Sequence, residues 1–357
     1  MSTQAPLENI QVLINEIPDG ALQESTFKLA FTPISKQEIL DGYVIIQVEY
    51  VSIDPTMKIW LDPKKTYLAP LKPGDVMRAA GVGTVIFSKS SKLSVGDSIL
   101  GFELGWQKLA VVNERQVKKI HPLPGGLAKT AYLGILGHTG LAAYFGMLEV
   151  GKPQPGETVV VSGAAGATGS VAGQIAKIKG CRVVGIAGSS QKCEWLKELG
   201  FDDAINYKDP GFYKHLRKSC PKGVDVYFDN VGGPLLDFMM KIINHKARVV
   251  ICGAVSDYNT TSTEKQYSLN NYLALVNKSA KMEGFLVFDF VKRYGEALKQ
   301  LAIWIAQGKL KHQEHVVDGL ENAPKALEML FQGGNFGKLL VKVSKQYSSS
   351  KLMTSRL

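Results

Sequence analysis

Over the first 125 residues the apolar positions fall in short β-branched and aromatic runs, YVIIQVEYVSID, GVGTVIFS, SILGF and QKLAVV. Turn formers separate them: Lys72-Pro73-Gly74-Asp75, Val95-Gly96-Asp97 and Leu123-Pro124-Gly125-Gly126. Such runs between Pro/Gly punctuation predict strands and a β-rich barrel. From Lys129 onward the rhythm becomes helix and strand in alternation. A helix-compatible run, TAYLGILGHTGLAAYFGMLEV, precedes strand-like segments at 158–162, 182–187, 204–207, 224–230, 248–252 and 281–287, with helical patterns between them. Strands at βα spacing predict one doubly wound parallel sheet. A last helix-like stretch, 321–332, leads into GGNFGKLLVKVS, whose strand is expected to return to the first domain. The expected organisation is therefore residues 1–126 with 312–346 as a substrate and catalytic domain, 127–311 as a nucleotide domain, and 347–357 as a mobile polar tail.

Composition narrows the class. With 357 residues and 45% hydrophobic content, the chain can bury a large core in two domains. It contains no apolar run long enough to span a bilayer, and MSTQAPLENIQ lacks the basic-then-apolar order of a signal peptide, so a cytoplasmic protein without a membrane partner is expected. The net charge of +10 is scattered without a long basic block, which argues against nucleic acid and for a surface that favours anionic cofactors. Cys181, Cys193, Cys220 and Cys252 show neither CxxC pairing nor a nearby His at zinc-ligand spacing, so reduced thiols and no metal are predicted.

The most specific chemistry lies in VVVSGAAGATGSVAGQIAKIKGCRVVGIAGSSQK, residues 159–192. Gly166 and Gly169 stand three apart between a β-branched run and a helix-compatible run, with Ala164 where the dinucleotide fingerprint has its first glycine. This turn lets backbone approach a pyrophosphate and aims a helix N-terminus at its charge. An NAD-preferring unit usually carries Asp or Glu about 20 residues on, for the ribose hydroxyls. Here that place reads Ala187-Gly188-Ser189-Ser190, with Lys192 next. Small hydroxyls and an ammonium accept a 2′-phosphate that a carboxylate would repel, so NADPH is the expected cofactor.

The order of the barrel segments, GHTGLAAYFG, VSGAAGATGSVAGQIAK, GVDVYFDNVGG, CGAVSDYN, GFLV, QGKL and GGNFGK resembles the zinc-independent medium-chain reductases of the leukotriene B4 dehydrogenase, prostaglandin reductase and 2-alkenal (double-bond) reductase type. The resemblance covers roughly residues 10–345. It implies an α/β fold, a Rossmann sheet beside a GroES-like barrel, and NADPH-dependent reduction of C=C bonds conjugated to a ketone or aldehyde. It also implies a homodimer. On the residues that match, it assigns Gly166, Ala167, Thr168 and Gly169 to the pyrophosphate, and Lys192 with Tyr207 to the 2′-phosphate. Asn230, Cys252 and Tyr258 would line the path from adenine to nicotinamide, Phe285, Leu286 and Val287 would flank the nicotinamide, and Asn335 would close over the cofactor.

Conjugate reduction asks for orientation and a donor near the carbonyl oxygen, and the Tyr258 phenol is the candidate for that donor. In the first domain the chain departs from the family: Asp54-Pro55-Thr56-Met57-Lys58 stands where many relatives read DPYMR, so an aromatic at the substrate border is missing. A quinone reductase is the alternative enzyme, and a non-enzymatic NADPH-binding protein, with single-stranded RNA as a secondary ligand, is the alternative outside enzymes. The terminal Ser355-Arg356-Leu357 resembles the Ser-Lys-Leu class of peroxisomal import signal, which sets a peroxisomal address against a cytoplasmic one.

Overall fold

The computed structural model of the chain describes residues 5–62, 67–265 and 267–343. The predicted tail at 347–357, with its Ser-Arg-Leu end, lies outside the described residues.

Six parallel strands form one sheet in the order Asp203–Asn206, Arg182–Ala187, Thr158–Val161, Val224–Asp229, Ile243–Ile251, Lys281–Gly284. Numbered along the chain, this is 3-2-1-4-5-6, the dinucleotide-binding order. The central strands read as continuous apolar runs because both faces are covered. Val159 and Val161 enter one core, against the helices His138–Phe145, Ala167–Ile178 and Tyr294–Ala306, while Val160 enters the other, against Phe212–Ser219 and Gly233–Met239. Alternation with period two thus feeds two cores from one strand.

Seven strands form the second sheet, Glu314–Asp318, Lys338–Lys342, Tyr43–Ser52, Gly81–Ser88, Ser98–Gly101 and Val117–Lys119 in order, with Leu109–Asn113 also paired to Tyr43–Ser52. The strand after GGNFG joins this sheet antiparallel to Tyr43–Ser52, with Leu340 opposite Ser52. A separate hairpin pairs Leu7–Ile14 with Phe27–Ile34, two strands the sequence pattern did not single out. Phe27–Ile34 shows no buried residue to mark it, since pairing rather than burial defines it.

Two expectations shift. The run after Lys129 is not one helix: a 3₁₀ segment, Lys129–Leu133, ends at Gly134 with φ −124° and ψ −108°, outside the helical region, and the α-helix starts at His138. The sixth strand stops at Gly284 rather than 287, so Phe285 and Leu286 lie in the connection to the 3₁₀ segment Val287–Arg293.

Candidate functional site

Strand order reverses between Thr158–Val161 and Val224–Asp229, so the connections leaving their carboxyl ends diverge and a crevice must open there. A cleft of about 890 Å³ occupies that crevice and reaches Ile53, Asp54 and Pro55 beside the second sheet. Gly166, Ala167, Thr168, Gly169, Lys192, Tyr207, Asn230 and Asn335 all line it.

Its floor is the glycine turn. Gly166 caps the helix Ala167–Ile178 in extended conformation and, having no side chain, makes no capping hydrogen bond of its own. The first-turn N–H groups are thereby left for an anion. A methyl group on Gly169 would collide with the Gly163 carbonyl and come within 2.8 Å of Ala164 Cα. Close packing of turn on helix therefore requires glycine, and the cradle fits a pyrophosphate.

At one end of the floor, Ser189 starts the helix Ser190–Glu198 by accepting the Lys192 N–H at 3.3 Å. Lys192 Nζ donates to the Gly333 carbonyl at 2.9 Å. Burial holds its pKa below the usual lysine range, and the like charge of Lys208 adds to this. An anion placed here would favour the charged ammonium and offset the repulsion from Lys208. Tyr207 lies against bare backbone, since a Cβ on Gly188 would sit 2.9 Å from its ring. Asp209, the carboxylate lining this end, already accepts from Asn206 Nδ2 at 2.7 Å.

Asn230 is set by a polar hub that sequence reading missed. The fully buried Asp229 accepts from Ser162 Oγ at 2.9 Å, Tyr227 Oη at 2.7 Å and the N–H groups of Val231 and Gly232 at 3.0 and 3.1 Å. Burial pushes its carboxyl up, and these donors pull the other way. Ser162 in turn accepts the Asn230 N–H at 2.9 Å and, through its carbonyl, Asn230 Nδ2 at 2.7 Å. The available signal was a polar residue closing each of two adjacent apolar strands. Across the cleft, Asn335 is buried and donates to the Gly337 carbonyl at 3.0 Å, while the Gly337 N–H reaches the Ala165 carbonyl at 3.0 Å. The segment 333–337 therefore straps over the turn.

A second unforeseen pair closes the other end. Lys338 is 4% exposed, and its Nζ donates to Asp54 Oδ1 at 2.8 Å and to the Ile53 carbonyl at 2.9 Å. Ser52 Oγ donates to Asp54 Oδ2. Both charges line the cleft, and the buried ammonium finds both a carboxylate and a carbonyl, as a charge taken out of water requires.

The cleft lining does not include Cys252, Tyr258, Phe285, Leu286 or Val287. Phe285 fills the space left by Gly146, where a Cβ would come within 2.6 Å of its ring. Cys252 donates its N–H to the Asp229 carbonyl at 2.9 Å, and burial pushes its thiol up to about 12. Leu286 is exposed, and the Val287 carbonyl accepts from Tyr294 Oη at 3.1 Å. Tyr258 Oη accepts the Ala254 N–H at 3.4 Å, packs beside the second sheet's core, and has its phenol pushed up chiefly by burial. Among the described residues no group of three or more His, Cys, Asp or Glu is placed to hold a metal ion. No described helix is long and apolar enough to cross a membrane.

Two family models match the chain: one described as the N-terminal domain of oxidoreductase over residues 11–120, and one described as zinc-binding dehydrogenase over 167–303. A Bacillus subtilis (strain 168) protein assigned as an NADP-dependent oxidoreductase is 45% identical over 337 residues, covering 94% of this chain and 97% of its own. The NADP(+)-dependent 2-alkenal reductase of Nicotiana tabacum is 38% identical over 346 residues, covering 95% and 99%. The crystal structure of CurA from Vibrio vulnificus in complex with NADPH superposes with a TM-score of 0.88 at 38% identity, covering 94% of this chain and 100% of that one.

Proposed function

The chain belongs to the zinc-independent medium-chain dehydrogenase/reductase family, and from that premise we propose that it reduces the C=C bond of α,β-unsaturated aldehydes or ketones with NADPH. The observation that carries the reading is the cleft itself: a helix N-terminus over a glycine turn, ending at Lys192 and Tyr207, with Asp209, the carboxylate there, hydrogen-bonded to Asn206. Bound there, NADPH would supply the hydride for the electrophilic β-carbon; the C=C pair moves toward the carbonyl carbon, the C=O pair onto oxygen, and the enolate takes a proton from water at the α-carbon.

The chain's own part is positional. The first turn of Ala167–Ile178 holds the pyrophosphate, Lys192 and Tyr207 hold the 2′-phosphate, and Asn230 and Asn335 bracket the nucleotide from the two walls. Tyr258 is the donor proposed for the enolate side, with Cys252, Phe285, Leu286 and Val287 forming the rear of the nicotinamide end. The test is NADPH oxidation against hex-2-enal, an aryl enone, a quinone and a saturated aldehyde. Turnover of the first two supports the proposal, and turnover of quinone alone replaces it.

We also propose a homodimer joined at the sheet edge. Among the described residues Lys281–Gly284 pairs on one side only, and Tyr272, Leu273 and Val276, shortly before it in the chain, are exposed. Sedimentation at micromolar concentration checks it, and a monomer sinks it. For the address, the C-terminal Ser-Arg-Leu supports peroxisomal import. A fluorescent protein fused ahead of residues 347–357 should be punctate, and diffuse signal returns the protein to the cytosol.

A further inference from the structure

Beyond the Asp54, Pro55 and Thr139 end of the cleft, half-buried rings from separate segments meet. Phe102 lies 5.0 Å from His138 and 5.7 Å from Phe288, His138 lies 5.6 Å from Phe288, and Tyr67 lies 6.3 Å from Phe288, centroid to centroid. Trp60 backs Phe102 at 6.0 Å. The planes are tilted or edge-on, so the rings do not seal against each other face to face, and none of the four front rings is fully buried. His138 is held neutral, its pKa lowered chiefly by burial, with Asp54 opposing and Lys338 reinforcing the shift. It therefore behaves here as one more aromatic surface.

Tyr67 is the outer member of this wall and is 42% exposed. Its hydroxyl is fixed 2.8 Å from Thr56 Oγ1, one residue beyond the cleft-lining Pro55. It is close enough to Tyr258 for the buried Tyr258 phenol to feel it.

We propose that Tyr67, steered by Thr56, is a specificity-determining residue of the reduction, closing a wall with Phe288, Phe102 and His138 that selects double bonds conjugated to a flat ring system. This rests on the reductase reading above. A planar aryl group gains edge and face contacts with several fixed rings, whereas a linear alkyl chain gains only area. Thr56 acts through the Tyr67 hydroxyl and is a positioning residue.

The experiment compares kcat/KM for 4-phenylbut-3-en-2-one and hex-2-enal in the unmodified protein, Tyr67→Ala, Tyr67→Phe, Thr56→Val and the double variant Thr56→Val/Tyr67→Phe. Tyr67→Ala should lower the aryl value about tenfold and the alkenal value by less than about twofold. Thr56→Val and Tyr67→Phe should each give part of that loss, and the double variant no more than either alone, because both remove one shared contact. NADPH affinity should stay unchanged throughout. Equal losses for the two substrates, no loss for either, or additive effects of Thr56→Val and Tyr67→Phe would overturn the assignment while leaving the reductase reading standing. If the unmodified protein reduces neither substrate, both proposals fall together.

Discussion

At the glycine-turn end of the cleft, the lining comes from one short stretch, 163–169, rich in glycine and in backbone N–H groups of a helix N-terminus. At the opposite end the surface is made of side chains from separate segments: Tyr67 and Phe102 from the first part of the chain, and His138 and Phe288 from the nucleotide half. The first end is a single local conformation, so one added methyl group disturbs all of it. The second is an assembly of independent rings, so each can be exchanged without unmaking the rest. A fixed cofactor suits the first kind of construction, and a substrate that varies among relatives suits the second.

The comparison breaks most visibly at Gly169. Gly169→Ala must push the helix off the Gly163–Ala164 backbone, and NADPH affinity measured by fluorescence titration should fall about a hundredfold. An unchanged dissociation constant would show that the turn is not the cradle. Next in size is Lys192→Ala, which removes one charge-assisted contact and should raise the KM for NADPH about tenfold while leaving NADH nearly unaltered. Equal losses with both cofactors would take Lys192 out of the 2′-phosphate site. Tyr258→Phe keeps the ring that packs beside the second sheet and removes only the hydroxyl. Turnover should fall about fivefold with NADPH affinity preserved, and an unchanged kcat with chemistry rate-limiting rules out the donor role.

The smallest effect sharpens the contrast between the halves through pH. All four cysteines belong to the nucleotide half, and burial pushes the thiols of Cys181 and Cys220 up to about 11 and about 12, from an ordinary value of 9.0. In the folded protein these thiols keep their protons where the unfolded chain has lost them. Stability from this source is complete below pH 9 and declines as pH rises from there toward the folded values. Urea midpoints reported by the nucleotide half should therefore drop between pH 8.5 and 10.5, and Cys220→Ala should flatten the drop. A midpoint indifferent to pH in both proteins would mean the thiols titrate alike folded and unfolded.

Legibility followed sequence distance. The strand 182–187, the strand at 224–230 to within one residue, the glycine turn and the missing acid after Ala187 could be read directly, because each is a local pattern whose physics is complete within a few residues. The sixth strand was read too long, since the apolar residues Phe285 and Val287 continue the pattern, although Phe285 lies in the connection and Val287 opens the 3₁₀ segment rather than pairing. The hairpin strand Phe27–Ile34 escaped because pairing with Leu7–Ile14, not burial, makes it a strand.

By itself the sequence determined the kind of chemistry: a β-branched strand, a glycine turn and a hydroxyl-rich stretch from Ala187 to Lys192 without an acid point to a phosphorylated dinucleotide. Tertiary structure alone decided what meets that cofactor. Lys338 finds Asp54 across 284 positions, Asn230 depends on Ser162 68 positions away, and Tyr67 joins Phe288 only because two sheets pack around one cleft. Contacts of that kind are set by how the cores bury their apolar faces against one another, and no local periodicity records which distant side chains will then share a wall.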